Sequence, residues 1–150
     1  MGTIDCATLA NQYLTGQAVT PSPFEILCFN QWVEQRFAMI SHWVSFVDRE
    51  VSPEEMEADW DLHAKLTIST AHNEHPFWSA ETNAKFRAIH DWDHVHGGFS
   101  FGLAGEVCAA GYAMSTAPEP IKWILWSEIA LQAAAAIHTG EFQEQKLVRV

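Results

Sequence analysis

Residues Ile26 to Val47 read ILCFNQWVEQRFAMISHWVSFV, and their apolar side chains decide the fold class. Ile26, Phe29, Val33, Phe37, Ile40, Val44 and Val47 recur in steps of three and four, the spacing that stacks side chains on one face of an α-helix. The stretch predicts one long helix. Outward from it the same period governs nearly the whole chain, and no run alternates in the two-residue manner of a strand. The expectation is an all-α protein.

On the N-terminal side, a short helix is predicted from Ile4 to about Leu14, stopped by Gly16. Thr20-Pro21-Ser22-Pro23 is a rigid connector, because each proline disfavours helix in the residue before it. On the C-terminal side, Ser52-Pro53-Glu54-Glu55 supplies the N-cap serine, N1 proline and N3 glutamate of a capping box. It starts a third helix expected to reach about Ala71. Asn73 to Pro76 reads as a loop. Ser79 or Thr82 then caps a fourth helix carrying Phe86, Ile89, His90, Asp93 and His94, ended by Gly97-Gly98. A fifth from about Leu103 to Ser115 and a sixth from about Glu119 to Thr139 complete the expected chain, with Pro118 and Pro120 at the join and Gly140 at the end. Five or six helices with short connections predict a compact helical bundle forming a single domain over residues 1-150.

Composition narrows the function. With 48% hydrophobic residues in 150, a core can form, and the net charge of −11 repels a nucleic-acid backbone. No segment has the roughly 20 apolar residues a membrane span needs, since Lys122, Glu128 and Gln132 interrupt the most apolar stretch. Neither nucleic acid nor membrane is therefore an expected partner. Cys6, Cys28 and Cys108 are odd in number and far apart, and the N-terminus lacks the basic and apolar regions of a secretory signal, so a reducing, cytoplasmic setting is expected.

Eight histidines equal all the lysines and arginines together. In the run from Phe86 to His96, His90 and His94 lie four apart on a predicted helix, with Phe86 and Ile89 turning that face inward. One turn brings the imidazoles close enough to share an ion. The alternative is a pair of core histidines satisfied by hydrogen bonds. Asp91 could ligate metal, orient an imidazole or simply be solvated. It stands where a zinc-protease helix would carry its glutamate base, so that reading is weak. Glu106, near the start of the fifth helix, either rests at a solvated helix start or turns inward to a cation. Glu128 shares the apolar face of the sixth helix with Ile121, Leu125, Gln132 and Ala135, where a bare carboxylate is costly. Zinc, manganese or iron would suit such a set. No spacing singles out His63, His72, His75 or His96, and His138 falls off the stripe. The seven tryptophans could line a pocket but more often fill a core. The acidic run of Glu54, Glu55, Glu57, Asp59 and Asp61 could hold a second cation, though such runs are usually a solvated face.

From about Phe86 to Lys146 the order of motifs resembles a group of small helical proteins encoded by phages and bacteria. The matching residues are Phe86-Arg87-Ala88, His90-Asp91, His94, Phe99 or Phe101, Gly105-Glu106, Glu128 and Gly140-Glu141-Phe142. The resemblance implies that the polar residues among them belong to one site, and it transfers no activity.

The functional expectation is a protein that binds one divalent metal through His90, His94, Glu106 and Glu128. It would hydrolyse a small substrate such as a phosphate ester or nucleotide, with Asp91 or Glu128 moving the proton. The competing expectation is a non-catalytic binding or assembly module with a buried polar cluster.

Overall fold

The computed structural model describes residues 5–150. The elements are α1 (Cys6–Thr15), α2 (Pro23–Ile40), β1 (Val44–Val47), α3 (Pro53–His63), β2 (Leu66–Ser69), α4 (Ala80–Gly97), α5 (Leu103–Thr116), α6 (Lys122–Leu125) and α7 (Gln132–Thr139). Single 3₁₀ turns at Ser41–Trp43 and Glu119–Ile121 precede β1 and α6, and a π-helical turn over Trp126–Leu131 joins α6 to α7 in one unbroken rod. The described residues form an all-α bundle of six helices, counting that rod as one, with a two-stranded parallel sheet at its side.

The caps explain most boundaries. Ser22 and Glu25 form the complete capping box at α2, each side chain bonding the other's backbone N–H. At α3 only half of the expected box forms: Ser52 accepts from the Glu55 N–H, but the Glu55 carboxylate turns to Arg49 at 2.6 Å. Ser79 caps α4, and Gly98, in the left-handed region, closes it. Ile4, the expected first residue of α1, lies outside the described residues.

Two expectations are corrected. The helix expected from Ile26 to Val47 ends at Ile40, and Val44–Val47 is a strand; the helix expected to reach Ala71 ends at His63, and Leu66–Ser69 is its partner strand. Val44 and Val47 continue the three-four steps of α2 by coincidence. Leu66 and Ile68 are fully buried while Thr67 and Ser69 are only partly so, the alternation of a half-buried strand. It covers too few residues to stand out. The turn out of α3 is made by Ala64 at φ 49°, a left-handed conformation that costs a non-glycine residue roughly 1 kcal/mol.

The main core joins Phe29, Trp32 and Val33 of α2 to Phe86 and Ile89 of α4, to Ala109, Ala110 and Ala113 of α5, and to Ile121, Ile124 and Leu125. Arg36 of α2 clamps Asp93 of α4 through both carboxylate oxygens, at 3.1 and 2.7 Å, and ties the two helices together beside the core. Among the described residues, no helix is long and apolar enough to cross a membrane.

Candidate metal centre

With Asp93 held by Arg36, the neighbouring face of α4 presents His90 and His94 one turn apart to the first turn of α5. Glu106 Oε2 lies 3.1 Å from His90 Nε2 and 3.2 Å from His94 Nε2, and the two imidazole nitrogens are 3.2 Å from each other. These ligand atoms all fall within 4.8 Å of one another. The loop between the helices is shaped to this contact. The Phe99 carbonyl accepts from His94 Nδ1 at 2.9 Å, and the Phe101 ring stacks on the His94 imidazole at 4.1 Å. Gly105 lies against the Ser100 backbone, where a Cβ has no room, and so lets α5 come in close enough to deliver Glu106.

The Phe99 contact fixes which nitrogen of a neutral His94 carries the hydrogen. A carbonyl only accepts, so Nδ1 carries the hydrogen and the neutral ring turns the lone pair of Nε2 toward a carboxylate oxygen. Two acceptors at 3.2 Å repel unless a cation lies between them. The cation is either a proton or a metal ion. Burial alone would raise the Glu106 carboxyl, but hydrogen bonds and charge from His90 and His94 overcome it and hold the group at about 2. Burial likewise disfavours a charged His90, yet the Glu106 hydrogen bond, with the charges of Glu106, Asp91 and Asp93, raises it above the ordinary imidazole range. His90 Nδ1 is buried and takes no partner from the described residues.

The cluster opens on a cleft of about 790 Å³ whose walls come from α3, β2, α4, α7 and the C-terminal segment. Asp91 lines it, and burial pushes the Asp91 carboxyl upward against the opposing charges of His90, His94 and Arg87. Arg87, on the same wall, is anchored to the carbonyls of Ser69, Ala71 and His72 at 2.7, 3.0 and 3.3 Å. Phe142 stands at the rim, 83% exposed.

Glu128, expected among the metal ligands, lines the same cleft but does not join the three-residue cluster. Its Oε1 accepts instead from His75 Nε2 at 3.0 Å and from Gln145 Nε2 at 2.8 Å. Sequence reasoning had no means to pick out His75, which is 53 positions from Glu128 and lies on an irregular segment. Asp93, adjacent to the motif, is absorbed by Arg36. His63, His72, His96 and His138 are exposed. Trp32, Trp43, Trp78, Trp92, Trp123 and Trp126 fill the core or pack against it, Trp60 meets Trp92 edge-on, and none lines the cleft. In the acidic run, Glu55 binds Arg49 and Asp59 accepts from Thr67; Glu54, Glu57 and Asp61 are exposed.

No protein-family model, no curated protein and no solved structure matches the chain.

Proposed function

We propose that the protein binds one divalent cation through His90, His94 and Glu106 and hydrolyses an ester bond of a small substrate held in the adjoining cleft. The observation that carries this reading is the convergence of three ligand atoms. Nε2 of His90, Nε2 of His94 and Oε2 of Glu106 lie within 3.2 Å of one another, and the Phe99 carbonyl on Nδ1 aims the His94 ring. Two nitrogens and one oxygen suit zinc, manganese or iron, and three protein ligands leave a coordination position for water. A cation so held lowers the pKa of bound water and polarises a carbonyl or phosphoryl oxygen. Asp91 and Glu128, both on the cleft wall, are the carboxylates available to move a proton.

Among the described residues, Arg87 is the one lysine or arginine lining the cleft, and it gives a phosphate ester a point of attraction against the acidic surround. The free thiols of Cys6, Cys28 and Cys108 fit a cytoplasmic setting, and the net charge of −11 disfavours nucleic-acid partners. A second reading, a non-catalytic module, is favoured by the hydrogen bonds that Glu106 makes when a proton takes the cation's place.

Elemental analysis of the purified chain separates the two. About one ion per chain, lost in a His90→Ala, His94→Ala double variant, supports the metal centre. A metal-free protein whose melting is unmoved by a chelator overturns it.

A further inference from the structure

Resting on the metal-hydrolase reading, we infer that Glu128 is the proton-moving carboxylate of the site rather than a fourth metal ligand, and that His75 is the positioning residue that aims it. The carboxylate and the imidazole are both nearly inaccessible, with side chains 6% and 1% exposed. The His75 ring is fixed on all sides. It stacks on Trp78 at 3.6 Å and 9°, and Trp78 in turn stacks on Phe29 of the core at 4.0 Å. The Phe77 backbone N–H donates to His75 Nδ1 at 3.1 Å, so the neutral ring carries its hydrogen on Nε2 and donates it to Glu128 Oε1.

Gln145 donates to that same oxygen, and its own carbonyl accepts from Gln132, so a chain of side chains holds the carboxylate from the opposite direction. Both donors engage Oε1. Glu128 Oε2 takes no hydrogen bond from the described residues, and Glu128 lines the cleft. The backbone adds an independent sign. Glu128 lies in the π-helical turn, where the Gln132 N–H reaches back five residues to the Ser127 carbonyl. Such turns are rare and concentrate at functional sites.

In the reaction this implies, Glu128 Oε2 takes a proton from the attacking water as the water oxygen bonds to the acyl or phosphoryl centre of the ester. The bond to the leaving alcohol breaks, and that proton is returned to the leaving oxygen. Imidazole and Gln145 keep Oε1 occupied so that a single oxygen of known direction is available.

The test uses the full-length, zinc-loaded protein with p-nitrophenyl acetate and p-nitrophenyl phosphate as probes. Glu128→Gln is expected to keep the zinc content of the parent and to lose about 100-fold in kcat. His75→Ala is expected to lose about tenfold in kcat with KM within about threefold, and His75→Gln, which keeps a donor, to regain most of it. Nitrogen NMR of the parent is expected to show His75 with its hydrogen on Nε2. Loss of zinc in Glu128→Gln, matching the loss expected in Glu106→Gln, overturns the inference by making Glu128 a ligand. So do parent-like rates in Glu128→Gln, or equal losses in His75→Ala and His75→Gln accompanied by lower melting temperatures. A zinc-loaded parent inert to both probes sinks the hydrolase reading itself, and the inference with it, a result distinct from an active parent with unaffected variants.

Discussion

Replacing Gly105 with alanine tests the geometry that delivers Glu106 without touching any ligand. A Cβ built at Gly105 would lie 1.7 Å from the Ser100 carbonyl oxygen, 2.4 Å from its carbon and 2.5 Å from Ser100 Oγ. Non-bonded carbon and oxygen keep about 3.2 Å or more, so the start of α5 must withdraw from the loop by about 1.5 Å. The neighbours here are backbone atoms, which cannot swing aside. Overpacking of this kind costs about 1–3 kcal/mol, or roughly 2–12 °C in melting temperature for a chain of this size. The functional cost is larger. Metal bonds to nitrogen and oxygen are about 2.1 Å long, and a carboxylate carried away by most of that distance no longer shares an ion with two imidazoles, so zinc affinity should fall by at least about 100-fold. Differential scanning calorimetry and competitive zinc titration with a chromogenic chelator measure both. Gly111→Ala, at an exposed position where nothing lies within 4 Å of the added carbon, is the control and should stabilise α5 by about 0.5–1 kcal/mol with zinc binding unchanged. If Gly105→Ala melts and binds zinc as the parent does, the close approach of α5 does not position Glu106 and the reasoning is wrong.

Arg36→Met should destabilise the chain by about 3–5 kcal/mol in urea unfolding, because it strands the buried Asp93 carboxylate, while zinc stoichiometry in the folded fraction is unaffected. Glu106, held at about 2 against the usual 4.5, contributes stability that is present above its ordinary range and is lost as pH falls from about 4.5 toward 2. Urea midpoints of chelator-treated protein across that window should therefore fall more steeply for the parent than for Glu106→Gln. Ala64→Gly relieves the left-handed turn after α3 and should raise stability by about 0.5–1 kcal/mol by calorimetry; a loss would show that the Ala64 side chain contributes packing that outweighs the strain.

The legible part of the molecule was its helical part. Steps of three and four in apolar residues, the Ser79 cap and the Gly98 and Gly140 stops place α4 to α7 close to their observed ends, and the pairing of His90 with His94 follows from helix geometry alone. Glu106 was readable as a carboxylate among small residues, although its inward turn depends on Gly105 and on the loop that precedes it. The strands were hidden because each is only four residues long and the first continues a helical stripe. His75 was hidden for another reason. Its partner is supplied by a distant helix, and no local period marks an imidazole on a loop. The role of Asp93 likewise depends on Arg36, 57 positions away, and the π turn that carries Glu128 leaves no signature in residue type.

X-ray absorption at the zinc edge of the zinc-loaded chain tests the metal centre most directly. Two imidazole nitrogens and one carboxylate oxygen at about 2.0–2.1 Å, with an imidazole missing in His94→Ala, are predicted. A chain that takes up no zinc, or a zinc shell without imidazole, would contradict it.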